Sequence, residues 1–331
     1  QASLARRARV LQETPHRRAA LLVEGLSQDP AIKSRVDEIK QSLAGNPLAR
    51  AFLSAWLFDD SLLAQPSKEN YGGYLLFHAT NVRILAALEL NPFANLLIHK
   101  IADEVNRRRH SRETRSTLQE LFNAHYGYAK TDIEAAVAGD PAVESVLGII
   151  ATYPGVQLIT NHRFANQLRQ FGVPEIPRIF AELAATLWAA EINPGAQIGE
   201  YFFLDHTKGV VVGETAILGP WVRMYQGVTL GALSFPLNPD GTYNTAVQRH
   251  PTIEGGTREN PTILASNVDV LGAVTVGAGA KLFPGVKVTT DIPAGARVIH
   301  DFEGNVLIDG GDGNGGRVTH KELRAGSNTG K

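Results

Sequence analysis

Residues 192–230 read INPGAQIGEYFFLDHTKGVVVGETAILGPWVRMYQGVTL, and their apolar positions keep a beat of six. Ile192, Ile198, Leu204, Val210, Ala216, Val222 and Val228 mark it; Leu264, Val270, Val276, Leu282 and Val288 take it up again. A period of six fits neither a helix, at about 3.6 residues per turn, nor a lone strand, so internal repetition is the first reading. Physically it describes a parallel β-helix: short strands joined by tight corners, three to a coil, with each beat residue pointing inward onto its counterparts above and below. Glycine and small residues such as Gly195-Ala196, Gly213, Gly227, Gly272 and Gly277-Ala278-Gly279 suit the cramped corners. One coil buries too little to stand alone, so coils must stack. Twelve beats predict about four coils, and a glycine-rich β-sandwich is the competing architecture.

Around this core the 331 residues are ample for more than one domain. Lys+Arg (32) and Asp+Glu (33) nearly cancel, so no global field favours nucleic acid or an anionic membrane. Absence of cysteine excludes disulfides, thiolate zinc sites and a cysteine nucleophile. No apolar run is long enough to span a bilayer. The basic opening (Arg6, Arg7, Arg9) reads as a solvated helix face rather than the remnant of a targeting peptide.

Residues 1–187 read as helical. Ala5–Leu26 and Ala31–Ala44 are divided by Asp29-Pro30, and Gly45-Asn46-Pro47 is a stop. Further helices are predicted over 75–90, 95–124 and 131–152, then after the Tyr153-Pro154-Gly155 turn and over 176–190. His78, His99, His110 and His125 are scattered singly and read as packing or surface residues. The hexad region, 188–300, is broken over about 232–262 by a segment of other character, expected as a loop extruded from a coil corner. The stack is predicted to end near Asp291-Ile292-Pro293, and the polar, glycine-rich tail 301–331 is expected to be mobile.

Chemistry concentrates at Leu204-Asp205-His206, an imidazole beside a carboxylate on a rigid support, and at Arg249-His250 in the loop. Glu191 lies fifteen residues before His206; with about eighteen residues per coil it should sit one coil away near the same edge and orient that ring. A histidine whose tautomer a carboxylate fixes is a competent base at neutral pH.

Three blocks then carry a family resemblance: LDHTKGVVVGETA (204–216), MYQGVTLGALSF (224–235) and RHPTIE (249–254). With Gly139-Asp140-Pro141-Ala142, Tyr153-Pro154-Gly155, His162-Arg163-Phe164-Ala165 and Gly172-Val173-Pro174 upstream, residues from about 135 to 295 resemble the serine O-acetyltransferases. The resemblance implies an α+β chain, an all-helical N-terminal domain (1–187) followed by a left-handed parallel β-helix (188–300). It implies acetyl transfer from acetyl-CoA to the L-serine hydroxyl, giving O-acetylserine for cysteine synthesis, without a metal. His206 matches the base. Asp140, Pro141, Asp205, Arg249 and His250 match residues that hold the amino acid, and Gly231, Ala232, Ser266 and Lys281 match positions lining the acetyl-CoA groove at a junction between subunits. Glu191 stands where the family has aspartate, Asn193 and Asn166 where it has histidine, and Gly256–Asn260 is an insertion. A trimer or a dimer of trimers is implied; a cytoplasmic setting is expected, with organellar import as the alternative. No tight complex with O-acetylserine sulfhydrylase is expected, because the chain as given ends Asn328-Thr329-Gly330-Lys331. Other readings are a same-fold acetyltransferase with another small acceptor, a β-helical zinc carbonic anhydrase, and a non-catalytic scaffold.

Overall fold

The computed structural model describes residues 28–105, 110–300, 306–310 and 317–319. The helix expected over 5–26, the basic opening and most of the tail lie outside them.

Among the described residues eight α-helices come first: α1 (Pro30–Gly45), α2 (Pro47–Leu57), α3 (Tyr71–Leu90), α4 (Pro92–Val105), α5 (Arg112–Gly139), α6 (Val146–Thr152), α7 (Pro154–Gln170) and α8 (Ile176–Trp188). Asx-Pro pairs start α1, α2 and α4: Asp29, Asn46 and Asn91 each accept a backbone amide while proline fills the first helical position. The helix expected over 95–124 is instead two, because Ser111 accepts from the Thr114 amide and caps a new start. Buried on nearly every side, α7 forms the centre of the helical layers. Phe164 on it stacks against Trp56 at 3.8 Å and Phe52 at 4.9 Å.

From Ala190 the chain winds into three parallel sheets in which every third strand pairs. Sheet 1 is β1 (Ala190–Ile192), β4 (Val210–Val212), β7 (Thr229–Gly231), β10 (Asp269–Leu271) and β13 (Lys287–Val288). Sheet 2 is β2 (Gln197–Ile198), β5 (Ile217–Leu218), β8 (Thr252–Ile253) and β11 (Thr275–Val276). Sheet 3 is β3 (Phe203–Leu204), β6 (Val222–Met224), β9 (Thr262–Leu264), β12 (Lys281–Leu282) and β14 (Arg297–His300). The beat residues point inward, all buried but the partly covered Ile198.

The register differs from the sequence expectation in an informative way. Glu191 pairs with Val211, twenty residues on, whereas Val211 pairs with Thr229 after eighteen. The two extra residues fall between β3 and β4, since Phe203 pairs with Arg223. Strands of pattern buried–exposed–buried offer two inward positions two residues apart. A two-residue slip therefore leaves the beat of six intact, and periodicity could not show it.

Two other expectations are corrected. The break over 232–262 is two separate connections, because β8 returns to the stack and pairs with β5 and β11. The stack also continues past Pro293: Ile292 bridges Val276, β14 pairs with β12, and a fifth coil is completed. Beyond it β15 (Val306–Asp309) pairs antiparallel with β14, and β16 (Arg317–Thr319) pairs antiparallel with β15. They cover an edge that would otherwise present unpaired backbone.

The helices are fastened to the first coil. Arg163 makes two bonds of 3.0 Å to the fully buried Asp132 and donates to the carbonyls of Ile198 and Gly199 at 2.8 Å. Asp132 in turn accepts the Phe202 amide at 3.0 Å.

Candidate active site

The edge where sheet 3 turns into sheet 1 carries Asp205 and His206, on the corner lengthened by two residues. His206 has φ 55°, a left-handed conformation that costs a residue with a Cβ about 1–2 kcal/mol. Bonds from the Asp205 amide to Met224 O (3.0 Å) and from Gly209 to Ala189 O (2.9 Å) hold the corner in place. The ring is thrown outward, its side chain 71% exposed, with Nε2 3.7 Å from Asp205 Oδ2.

Two glycines bring the helical layers to this corner. A Cβ on Gly139 would lie 2.5 Å from the Phe203 ring, and one on Gly155 would lie 1.9 Å from the Leu204 carbonyl oxygen. The end of α5 and the start of α7 can therefore press onto β3. That contact delivers Asp140, the residue after α5, and Tyr153, the residue before α7. The Tyr153 hydroxyl donates to Asp140 Oδ2 at 2.5 Å, and the Ala142 amide to Oδ1 at 2.8 Å. The tyrosine hydroxyl, then that amide and, more weakly, His206 hold the Asp140 carboxyl below its ordinary range. Tyr153 is pushed up to about 12, chiefly by its bond to Asp140 and then by burial and the charges of Asp140, Asp205 and Glu144. Pro141 follows Asp140 on the exposed surface.

A second group occupies the edge between sheets 1 and 2. There the long connection 232–251 rejoins the stack through Gln248-Arg249-His250. Thr215 anchors it: its hydroxyl accepts the amides of Arg249 and His250, each at 3.1 Å, and its own amide donates to His250 Nδ1 at 3.1 Å. Nδ1 is thus the acceptor nitrogen, and His250 carries its proton on Nε2. Burial, followed by the Arg249 charge, lowers the pKa of this ring. It packs over Gly213, where a Cβ would lie 2.0 Å from Cδ2 and Nε2. Arg249 forms an ion pair with Glu214 and donates to Thr245 O at 3.1 Å. Arg249 and His250 are therefore locked to the edge between sheets 1 and 2.

The other expected residues are dispersed. Ser266 shares the His206 edge two coils higher, linked through Gly227 to Lys208 and Asn267 to Gln226. Gly231 and Ala232 begin the second edge at the end of β7, and Lys281 lies on sheet 3 between Ile263 and Arg297. Glu191 is exposed in the middle of β1, opposite Val211. Among the described residues no hydrogen bond or ion pair joins it to His206; the carboxylate that ring meets is Asp205. Register sets Glu191 against Val211, on the strand that follows the His206 corner. Sequence reasoning missed Tyr153, taken there only as part of a turn, and the roles of Glu214, Thr215 and Arg169. For Tyr153 the available signal was its place before Pro154-Gly155, which any helix start against a strand could use. Among the described residues no group of three histidine or carboxylate side chains converges to hold a metal ion. No described helix is long and apolar enough to cross a membrane.

No family model matches the chain. Individual relatives do. A serine acetyltransferase of Bacillus licheniformis is 36% identical over 194 residues, which cover 59% of this chain and 83% of that protein. The chain belongs to the serine acetyltransferase family. A plasmid-encoded serine acetyltransferase of Synechococcus elongatus is 43% identical over 166 residues, half of each chain, so the match spans half that relative's length. The crystal structure of a Brucella abortus serine acetyltransferase in complex with coenzyme A superposes with a TM-score of 0.52 at 26% identity, covering 83% of this chain and 94% of that one.

Proposed function

We propose that this chain transfers the acetyl group of acetyl-CoA to the hydroxyl of L-serine, yielding O-acetylserine for cysteine synthesis. The observation that carries the reading is the gathering of Asp140, Tyr153, Asp205 and His206 on one corner. His206 takes the hydroxyl proton as the serine oxygen attacks the thioester carbonyl. The C–S bond then breaks, and the proton passes to the departing thiolate. Asp140 and Asp205 supply the negative charge that suits an ammonium group, and the planar fork of Arg249 suits a carboxylate. Asp205 meets the ring directly. Glu191 takes that place only when the exposed ring turns toward β1, which its 71% exposure leaves open.

A single chain sets the ammonium-binding corner and the Arg249-His250 corner on different edges. A left-handed stack packed about a threefold axis brings one edge of each copy against the other edge of its neighbour, so the reading includes a homotrimer or a dimer of trimers. Acetyl-CoA would run between copies, past Ser266 on one edge and Gly231-Ala232 on the other, with Lys281 available to its phosphates. The helical part, 1–187, contributes Asp140 and Tyr153, and the stack, 188–300, contributes the rest. The reading includes a cytoplasmic setting. Thiol release from acetyl-CoA, followed with L-serine beside L-homoserine and L-threonine, tests the assignment: turnover fastest with serine is expected, and none with serine would refute it.

A further inference from the structure

Glu214 is held from both sides. Its Oε2 accepts from Arg249 Nη2, while Oε1 accepts from Arg169 Nη2 at 2.5 Å. Arg169 comes from the last turn of α7, far from the loop that carries Arg249. The two cations meet at one carboxylate because Gly195 leaves room: a Cβ there would lie 2.7 Å from Glu214 Cγ and 3.1 Å from Arg169 Nε. The side chains are 50% exposed for Arg169, 24% for Glu214 and 12% for Arg249.

The charge count decides what this does. A lone Glu214–Arg249 pair is neutral and would offer an incoming carboxylate little attraction, because Glu214 already occupies the fork. Two guanidinium groups on one carboxylate leave a net positive charge beside Arg249, and Arg169 draws part of Glu214's charge away. We propose that Arg169 is a positioning residue that sets the affinity of Arg249 for the acceptor's carboxylate by sharing Glu214. The inference rests on the amino-acid acceptor reading above. It confines the effect to acceptors that bear a carboxylate, since the chemistry at His206 lies on the other edge of the chain.

The test measures steady-state thiol release for wild type, Arg169→Met, Arg169→Lys, Glu214→Gln and the Arg169→Met/Glu214→Gln double variant, with L-serine and with L-serinamide. Arg169→Met is expected to raise the serine KM by about three- to tenfold, as suits a half-exposed charge, with less at high salt. The expected kcat stays within about twofold and the acetyl-CoA KM does not move, the signature of lost ground-state binding. Arg169→Lys keeps the charge and should hold the serine KM within about twofold of wild type. Serinamide turnover should not respond to Arg169→Met, and the substitution should lose its effect in the Glu214→Gln background, because the two act through one carboxylate. An unchanged serine KM in Arg169→Met, an equal effect on serinamide, or effects that simply add with Glu214→Gln would overturn the proposal. Failure of the wild type itself to acetylate serine would instead refute the acceptor reading.

Discussion

The Tyr153 hydroxyl donates to Asp140 Oδ2 at 2.5 Å, joining the residue just after α5 to the residue just before α7. Both lie beside the corner bearing His206, so a single bond ties two helix ends to the site. Tyr153→Phe removes it while keeping the ring. Bonds to charged groups contribute about 1.5–3 kcal/mol, so the serine KM should rise on the order of tenfold. The Asp140 carboxyl should also return toward its ordinary range. Its protonation then begins at higher pH, and the acid limb of the kcat/KM profile should move up. A profile and KM unchanged from wild type would show that the bond does not set the site.

Gly213 matters for a different reason. A methyl group there would meet the His250 ring at 2.0 Å, and the ring is pinned by Thr215. Gly213→Ala should cost about 1–3 kcal/mol of stability, as overpacking does, and should displace Arg249 with the ring. Urea unfolding together with the serine KM checks both halves.

Arg163 and Asp132 anchor the helical layers to the first coil. Arg163→Met leaves a fully buried carboxylate without its cation and should destabilise by about 3–5 kcal/mol. Adding Asp132→Asn should recover part of the loss. Thermal unfolding of the single and double variants measures it.

Stability should fall with acid for an identifiable reason. Burial, and then the Arg163 charge, hold the His125 and His162 rings neutral, pushing each pKa down to about 3. In the unfolded chain these rings bind protons near pH 6.5. The unfolded state therefore takes up more protons between about pH 6.5 and pH 3. The stability linked to these rings is whole above that window and lost as pH falls through it, at up to about 1.4 kcal/mol per pH unit for each ring. His125→Phe keeps a ring against Phe52, whose centroid lies 5.4 Å away, and should flatten the slope measured by urea unfolding from pH 6.5 to 4. An identical slope would exclude His125 as a contributor.

Much of this was legible in the residues. The beat of six specified inward positions because each face of the stack repeats the same burial. Asp29-Pro30 and Gly45-Asn46-Pro47 marked helix boundaries because capping and proline geometry are local. What stayed hidden depended on register and on long-range contact. Two inward positions per strand concealed the two-residue slip, and with it the pairing of Glu191 with Val211. The β8 pairing could not be seen in two residues, Thr252 and Ile253, set between irregular segments. Tyr153 and Arg169 act through partners 13 and 45 residues away, and no spacing rule connects such pairs. Asp205, His206, Arg249 and His250 were legible as chemistry, while their division between two edges was not.

The central claim is that the outward-facing imidazole at 206 removes the proton from the acceptor hydroxyl. His206→Asn, assayed by single-turnover acetyl transfer to L-serine with saturating acetyl-CoA, tests it most directly. A general base contributes about 10²- to 10⁴-fold, so the transfer step should slow by that factor and lose its dependence on pH near neutrality, while acetyl-CoA binding persists. A single-turnover rate within a few-fold of wild type, with the same pH dependence, would contradict the account.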